Sequence, residues 1–202
     1  MNTITTLLDK NRVEDAERLI SKYPGTSPGL VFQQGALAFR KGDYPLAQSL
    51  FREAARRASE KTAESALFNE NLAALNANDA AGAAALVKEA AGSAQLREHI
   101  LFEQAHYAAK RMNPQAPELL ASFVALATDP ALKTQARLDQ AEVALNLNPP
   151  DLETVQAVLP PLEKEQLTPE QTMQLARLNI LEAESRQEWP SAIQACRQAI
   201  AL

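Results

Sequence analysis

Two stretches far apart in this chain carry the same pattern: KGDYPLAQSLFREAARR at residues 41–57 and RQEWPSAIQACRQAIAL at residues 186–202. Each has an aromatic residue (Tyr44, Trp189), a proline beside it (Pro45, Pro190) and an alanine two residues on (Ala47, Ala192). A further residue and a second alanine then follow at the same offsets, Phe51 with Ala54 and Cys196 with Ala199. Repetition of a helical unit constrains the fold more than any other feature here. One unit cannot bury its own apolar face, so units have to stack on one another.

Composition agrees with helices. The 202 residues are 46% hydrophobic but only 5% aromatic. Alanine is abundant and β-branched residues are sparse, which suits closely packed helices and predicts an all-α fold. The net charge of -5 leaves no basic footprint for a phosphate backbone, so nucleic acid is not an expected ligand. The densest basic run, Arg52, Arg56, Arg57 and Lys61, has helical spacing and reads as a solvated face. The single cysteine cannot close an internal disulfide. No stretch approaches the length of a membrane span, and the first residues carry acid early without an apolar signal core, so a soluble protein is expected. If Met1 stands in place of a cleaved signal, the expected compartment shifts from the cytoplasm towards the cell envelope.

The segment 28–61 serves as a ruler. Its first helix, GLVFQQGALAFRK, is expected to end at Gly42, where a residue without Cβ can take the left-handed conformation. Asp43 can cap the second helix, with Pro45 in its first turn, where the missing N–H costs nothing. Ala47, Phe51 and Ala54 then fall on one face. Steps of about 36 residues from Ala47 reach Ala83, Leu119, Val155 and, one residue late, Ala192. Ala16 with Ile20 fits the pattern near the start. The turns NPQAP and NLNPP lack the glycine, which predicts irregular superhelical geometry in those repeats, and Pro160–Pro161 are expected to end their helix early.

With Gly35 at the small position of the first helix, Gly42 at the turn, and Ala47, Phe51 and Ala54 in the second helix, the chain resembles the tetratricopeptide repeat, a helix-turn-helix unit of about 34 residues. The resemblance implies an all-α, right-handed superhelical solenoid of about six antiparallel helix pairs, at residues 1–27, 28–62, 63–95, 96–129, 130–166 and 167–202, in a single repeat domain. The segment SKYPGTSPG before the best repeat is similar to linkers in repeat proteins of the bacterial cell envelope.

In such arrays the first helices line a concave groove. The family's groove positions fall here on Phe32, Ala36, Phe39 and Arg40, then Phe68, Leu72, Leu75 and Asn76, then Glu103, Tyr107, Lys110 and Arg111. The same helices are also apolar on the face that meets their partners, and a helix apolar on two faces needs two things to bury against. The expected function is a non-catalytic scaffold that binds a peptide or protein partner through this groove. The stripe of Phe32, Phe39, Phe68 and Tyr107 is expected to supply most of the binding energy. Phe32 and Ala36 stand where a basic and amide pair would begin a carboxylate clamp, which disfavours that mode. The alternative, from another class, is a structural arm or oligomerisation module of a longer protein.

Chemistry finds little support. His99, Glu103 and His106 lie within about 60° of one another on a helix, a spacing that could face one metal ion. No adjacent zinc motif accompanies them, so a structural role is preferred and neither metal nor cofactor is expected. Cys196 occupies the slot of Phe51, which predicts a buried, unreactive thiol. No phosphate-binding glycine loop is present, and no catalytic residue is assigned. Ile193, Cys196, Ile200 and Leu202 leave an apolar face on the last helix, which predicts a longer array or end-to-end pairing with a second copy.

Overall fold

The computed structural model of the protein describes residues 3–23 and 25–200. Among these residues there are twelve α-helices, one 3-10 turn and no strand. Pro24 of the SKYPGTSPG segment and Leu202 lie outside the described residues. The chain divides into two compact units, Met1–Ile100 and Leu101–Leu202.

The first unit holds α1 (Thr3–Asp9), α2 (Val13–Ile20), α3 (Pro28–Arg40), α4 (Tyr44–Arg57), α5 (Glu60–Asn76), α6 (Ala80–Glu89), the 3-10 turn (Ala90–Gly92) and the first part of α7 (Ala94–Lys110). α3 packs on α4, α4 on α5 and α5 on α6, while α1, α2 and α3 touch one another. Ala47 and Ala54 are completely buried and Phe51 is 1% exposed, so the face at 47, 51 and 54 is the one that packs. Phe51 fills the space that Gly35 leaves open between α3 and α4. Burying a phenylalanine of this kind contributes about 1.5–3 kcal/mol. Ile4, Leu8, Ala16, Ile20 and Leu37 form a separate cluster at the other end of the unit.

The second unit holds the rest of α7 with α8 (Ala116–Leu126), α9 (Pro130–Leu145), α10 (Leu152–Leu162), α11 (Pro169–Ser185) and α12 (Trp189–Ile200). One cluster joins α7, α8 and α9 through Phe102, Ala105, Leu120, Phe123 and Ala136. A second joins α9, α10 and α11 through Leu138, Leu145, Val155, Leu159 and Leu178.

Five helix ends share one turn. A residue just past each helix has a positive φ: 56° at Asn11, 79° at Gly42, 59° at Asn78, 50° at Met112 and 61° at Gln187. Gly42 donates to the Phe39 carbonyl and Asp43 to that of Ala38, both at 3.0 Å, and the other four turns repeat this pair of bonds. The bonds satisfy carbonyls that a helix end leaves open. Asp43 then caps α4 by accepting from the Leu46 N–H, and Asp79 caps α6 by accepting from that of Gly82. NPQAP therefore follows the same turn as the glycine-bearing repeat, with Met112 in place of Gly42. At NLNPP the path differs: Asn146 caps α9 at φ -89, and Asp151 caps α10.

Three expectations need correction. Pro160 and Pro161 lie inside α10, which continues to Leu162. The carbonyls they leave unpaired belong to Gln156 and Ala157, both exposed residues, while buried Leu159 and Leu162 hold the last turn in the core. Leu119 is 37% exposed, and Ala116, Leu120 and Phe123 take the buried slots of α8. α8 begins four residues after Met112, against two between Gly42 and α4, because the Ala116 N–H first closes a tight turn onto the Asn113 carbonyl, and this moves the buried slots relative to the turn. Cys196 is exposed. Its counterpart Phe51 is covered because α4 has α3 on one side and α5 on the other, whereas α12 packs chiefly on α11 among the described residues.

Candidate functional site

In the first unit the face of α3 and α5 brings six of the expected groove residues onto two helices in contact. Phe32 and Phe39 are half-buried and Arg40 is exposed; on α5, Phe68, Leu72 and Asn76 are half-buried. The aromatic rings are engaged with the core. Phe32 packs against Phe51 with centroids 5.3 Å apart, and Phe39 meets Tyr44 edge-on at 5.3 Å. Phe68 leans on the Leu86 and Ile100 cluster and lies 6.3 Å from the His99 ring. The Asn76 amide donates to the Leu72 carbonyl at 2.8 Å within its own helix. What this face offers a ligand is therefore the outer edges of the rings, the Leu72 side chain and the Arg40 guanidinium.

Beneath the neighbouring surface lies a buried charge that periodicity alone does not announce. Glu70 is fully buried, and its Oε1 accepts from Arg52 Nε at 2.7 Å. Its Oε2 is buried without a hydrogen-bond partner. Burial pushes the Glu70 carboxyl above its ordinary range, and the Arg52 guanidinium opposes that shift. The signal in the sequence was position: Glu70 shares a helix face with Ala66, Ala73 and Ala74.

The second unit places Tyr107, Lys110 and Arg111 on α7. Tyr107 is half-buried, and the other two are exposed. The Arg111 guanidinium lies 4.8 Å from the Tyr107 ring centroid, within cation–π range. The Tyr107 hydroxyl is buried and finds no hydrogen-bond partner. Around these residues a ring of polar contacts joins α7, α9 and α11. His106 Nδ1 meets Asp139 Oδ2 at 2.5 Å, and Gln135 donates to Asp139 Oδ1 at 3.2 Å and to Gln174 Oε1 at 3.0 Å. Gln174 donates to Glu142 at 3.3 Å, and Lys110 closes the ring with a 3.1 Å bond to the same oxygen. Arg177 adds an ion pair to Glu142 at 3.4 Å.

Asp139 is the buried centre of that ring, at 1% exposure. Its hydrogen bond to His106 raises the imidazole above its ordinary value; desolvation and Lys110 oppose the shift, and Glu103 adds to it. Phe102 stacks on the same imidazole at 5.4 Å and 22°. Asp139 was legible in principle, since it stands in register with Leu132, Ala136 and Val143 on the packed face of α9. A lone acid among apolar positions calls for a partner.

His99 and His106 therefore have separate surroundings, one beside Phe68 and the other on Asp139. Among the described residues no three histidine, cysteine or acidic side chains are grouped to hold a metal ion. No helix of the described residues is long and apolar enough to cross a membrane. Compared with protein-family models, curated proteins and solved structures, the chain matches none.

Proposed function

We propose that this chain is a non-catalytic interaction scaffold of the tetratricopeptide type. Its helix pairs would stack as a right-handed superhelical solenoid and take a peptide or protein partner along the first helices, without a cofactor. The observation that carries the reading is the reuse of one turn at the ends of α1, α3, α5, α7 and α11, each followed by a second helix. A helix-turn-helix unit repeated with constant turn geometry is how such arrays are built, and their exposed first-helix faces are where they bind.

Within the first unit the face of α3 and α5 combines half-buried apolar side chains with the exposed Arg40, a surface suited to an extended or helical segment carrying apolar side chains and an acid. The test uses peptides recovered by panning a displayed library on the immobilised protein. Their affinity is then measured by calorimetry for wild type, Arg40→Glu and Leu72→Ala. Both variants should bind at least about fivefold more weakly, an effect of the size single interface side chains carry, with melting temperatures close to wild type. Recovery of no peptide, or equal affinity for all three proteins, would overturn the reading.

A further inference from the structure

α12 carries an apolar stripe that is left largely exposed among the described residues. Trp189, Ile193, Cys196 and Ile200 follow one another at spacings of four, three and four, which puts them within about 60° on one side of the helix. Trp189 is 60% exposed, Ile193 54% and Ile200 86%, and Cys196 is exposed as well. Ala192, on the adjoining side, is the buried residue that faces α11.

The repeat supplies an internal comparison. In α4 the matching positions are Tyr44, Gln48, Phe51 and Ala55, and each is occupied by a neighbour. Tyr44 meets Phe39, Gln48 donates to Asp79 at 2.9 Å, and Ala55 packs with Ala54 and Ala66. α12 replaces the glutamine with isoleucine and the small Ala55 with a second isoleucine. The bare copy of this face is thus more apolar than the covered one, the reverse of what exposure to water alone would favour.

The stripe also reads the same from both ends, because its midpoint falls between Gln194 and Ala195. A second α12 laid antiparallel across it about a two-fold axis puts Trp189 opposite the other copy's Ile200, and Ile193 opposite its Cys196. Arg197 is the one charged residue of α12, and under that axis it falls opposite Ala192 and not opposite its own counterpart. Ser191, Gln194 and Gln198 lie on the far side of α12 from the stripe, where they line a cavity with Asn179 and Glu182 of α11, so they do not border the contact. A self-matching patch of this kind is what an isologous contact requires.

We propose that α12 is the surface through which two copies of this chain associate, antiparallel and two-fold, as a reversible dimer. This contact is separate from the first-helix face and does not depend on it. The four side chains present roughly 400 Å², about half of what one partner contributes to a standard interface, so a weak dimer is the consequence.

The test joins light scattering over a concentration series with thiol cross-linking. The chain has one cysteine, so a short bis-maleimide can join two copies only where two Cys196 thiols come together. The expected result is a concentration-dependent dimer that the reagent captures. Ile193→Glu and Ile200→Glu should each weaken it by about tenfold or more while leaving the helical circular dichroism unchanged. A protein that stays monomeric at millimolar concentration overturns the proposal. So does a dimer that Cys196 cannot cross-link, since that would be a head-to-tail contact, and so does a dimer indifferent to both substitutions.

Discussion

A Cβ placed on Gly35 would stand 2.9 Å from both Cδ1 and Cε1 of Phe51. Real contacts of that kind do not occur, so the glycine is there for the ring. Gly35→Ala should lower stability by about 1–3 kcal/mol even though alanine is the better helix former, because Phe51 has to shift inside a filled core. Ala47→Leu should cost a similar amount, about 1–3 kcal/mol, at a completely buried position. In a denaturant series, Gly35→Ala combined with Phe51→Leu should be less destabilised than the two single changes add up to, as expected for residues in contact. Full additivity would show that the two side chains do not share the space.

That pairing was legible in the sequence, because the tetratricopeptide resemblance puts the small residue at Gly35 and the large one at Phe51 within one helix-turn-helix unit. The helical class and the capping role of Asp43 were legible as well, as both are local. Three things were not. Whether Phe32 faces a groove or Phe51 depends on which helix lies across from it, and periodicity gives a face without its neighbour. Cys196 inherits the position of Phe51 but not the α5 that covers it. The link from His106 to Asp139 spans 33 residues, and nothing in either local stretch names the other.

The His106–Asp139 pair should make stability fall as pH rises. The folded imidazole is raised above its ordinary 6.5 by the hydrogen bond to Asp139, with Glu103 adding and Lys110 opposing. A raised folded value means that protonation favours the native state. The contribution is complete below about 6.5 and is lost as pH climbs through the folded value. Urea midpoints measured from pH 6 to 9 should drop for the wild type, and that step should be missing in His106→Gln. Parallel curves for the two proteins would show that the pair does not titrate as described.

Glu70 works in the same direction in a more acid window. Its carboxyl is raised above 4.5 chiefly by burial, so the stability linked to its proton is complete below that value and is lost as pH rises through the folded one. Glu70→Gln keeps an acceptor for Arg52 and removes the buried charge, so this variant should gain on the wild type between pH 4 and 7. Arg52→Ala should be the harmful member of the pair, costing about 2–3 kcal/mol at neutral pH, because it strands a buried carboxylate. A Glu70→Gln protein less stable than Arg52→Ala would mean that the ion pair outweighs the cost of burying it.

The turns make the last prediction, because the same backbone is held once by glycine and four times by other residues. Gly42 sits at φ 79 with nothing near the place a Cβ would occupy, so only conformation opposes a side chain there. Gly42→Ala should therefore cost about 1 kcal/mol, the strain of a left-handed residue less the entropy that glycine loses on folding. The same balance run backwards applies to Gln187 at φ 61 and Met112 at φ 50, where glycine should stabilise by about 0.5–1 kcal/mol. Gln187 is the cleaner of the two, since Met112 keeps part of its side chain covered at 46% exposure. Thermal melts of the three single variants should rank Gln187→Gly above wild type and Gly42→Ala below it. If Gln187→Gly melts lower than the wild type, the left-handed turn at the end of α11 is not the strained position that its φ indicates.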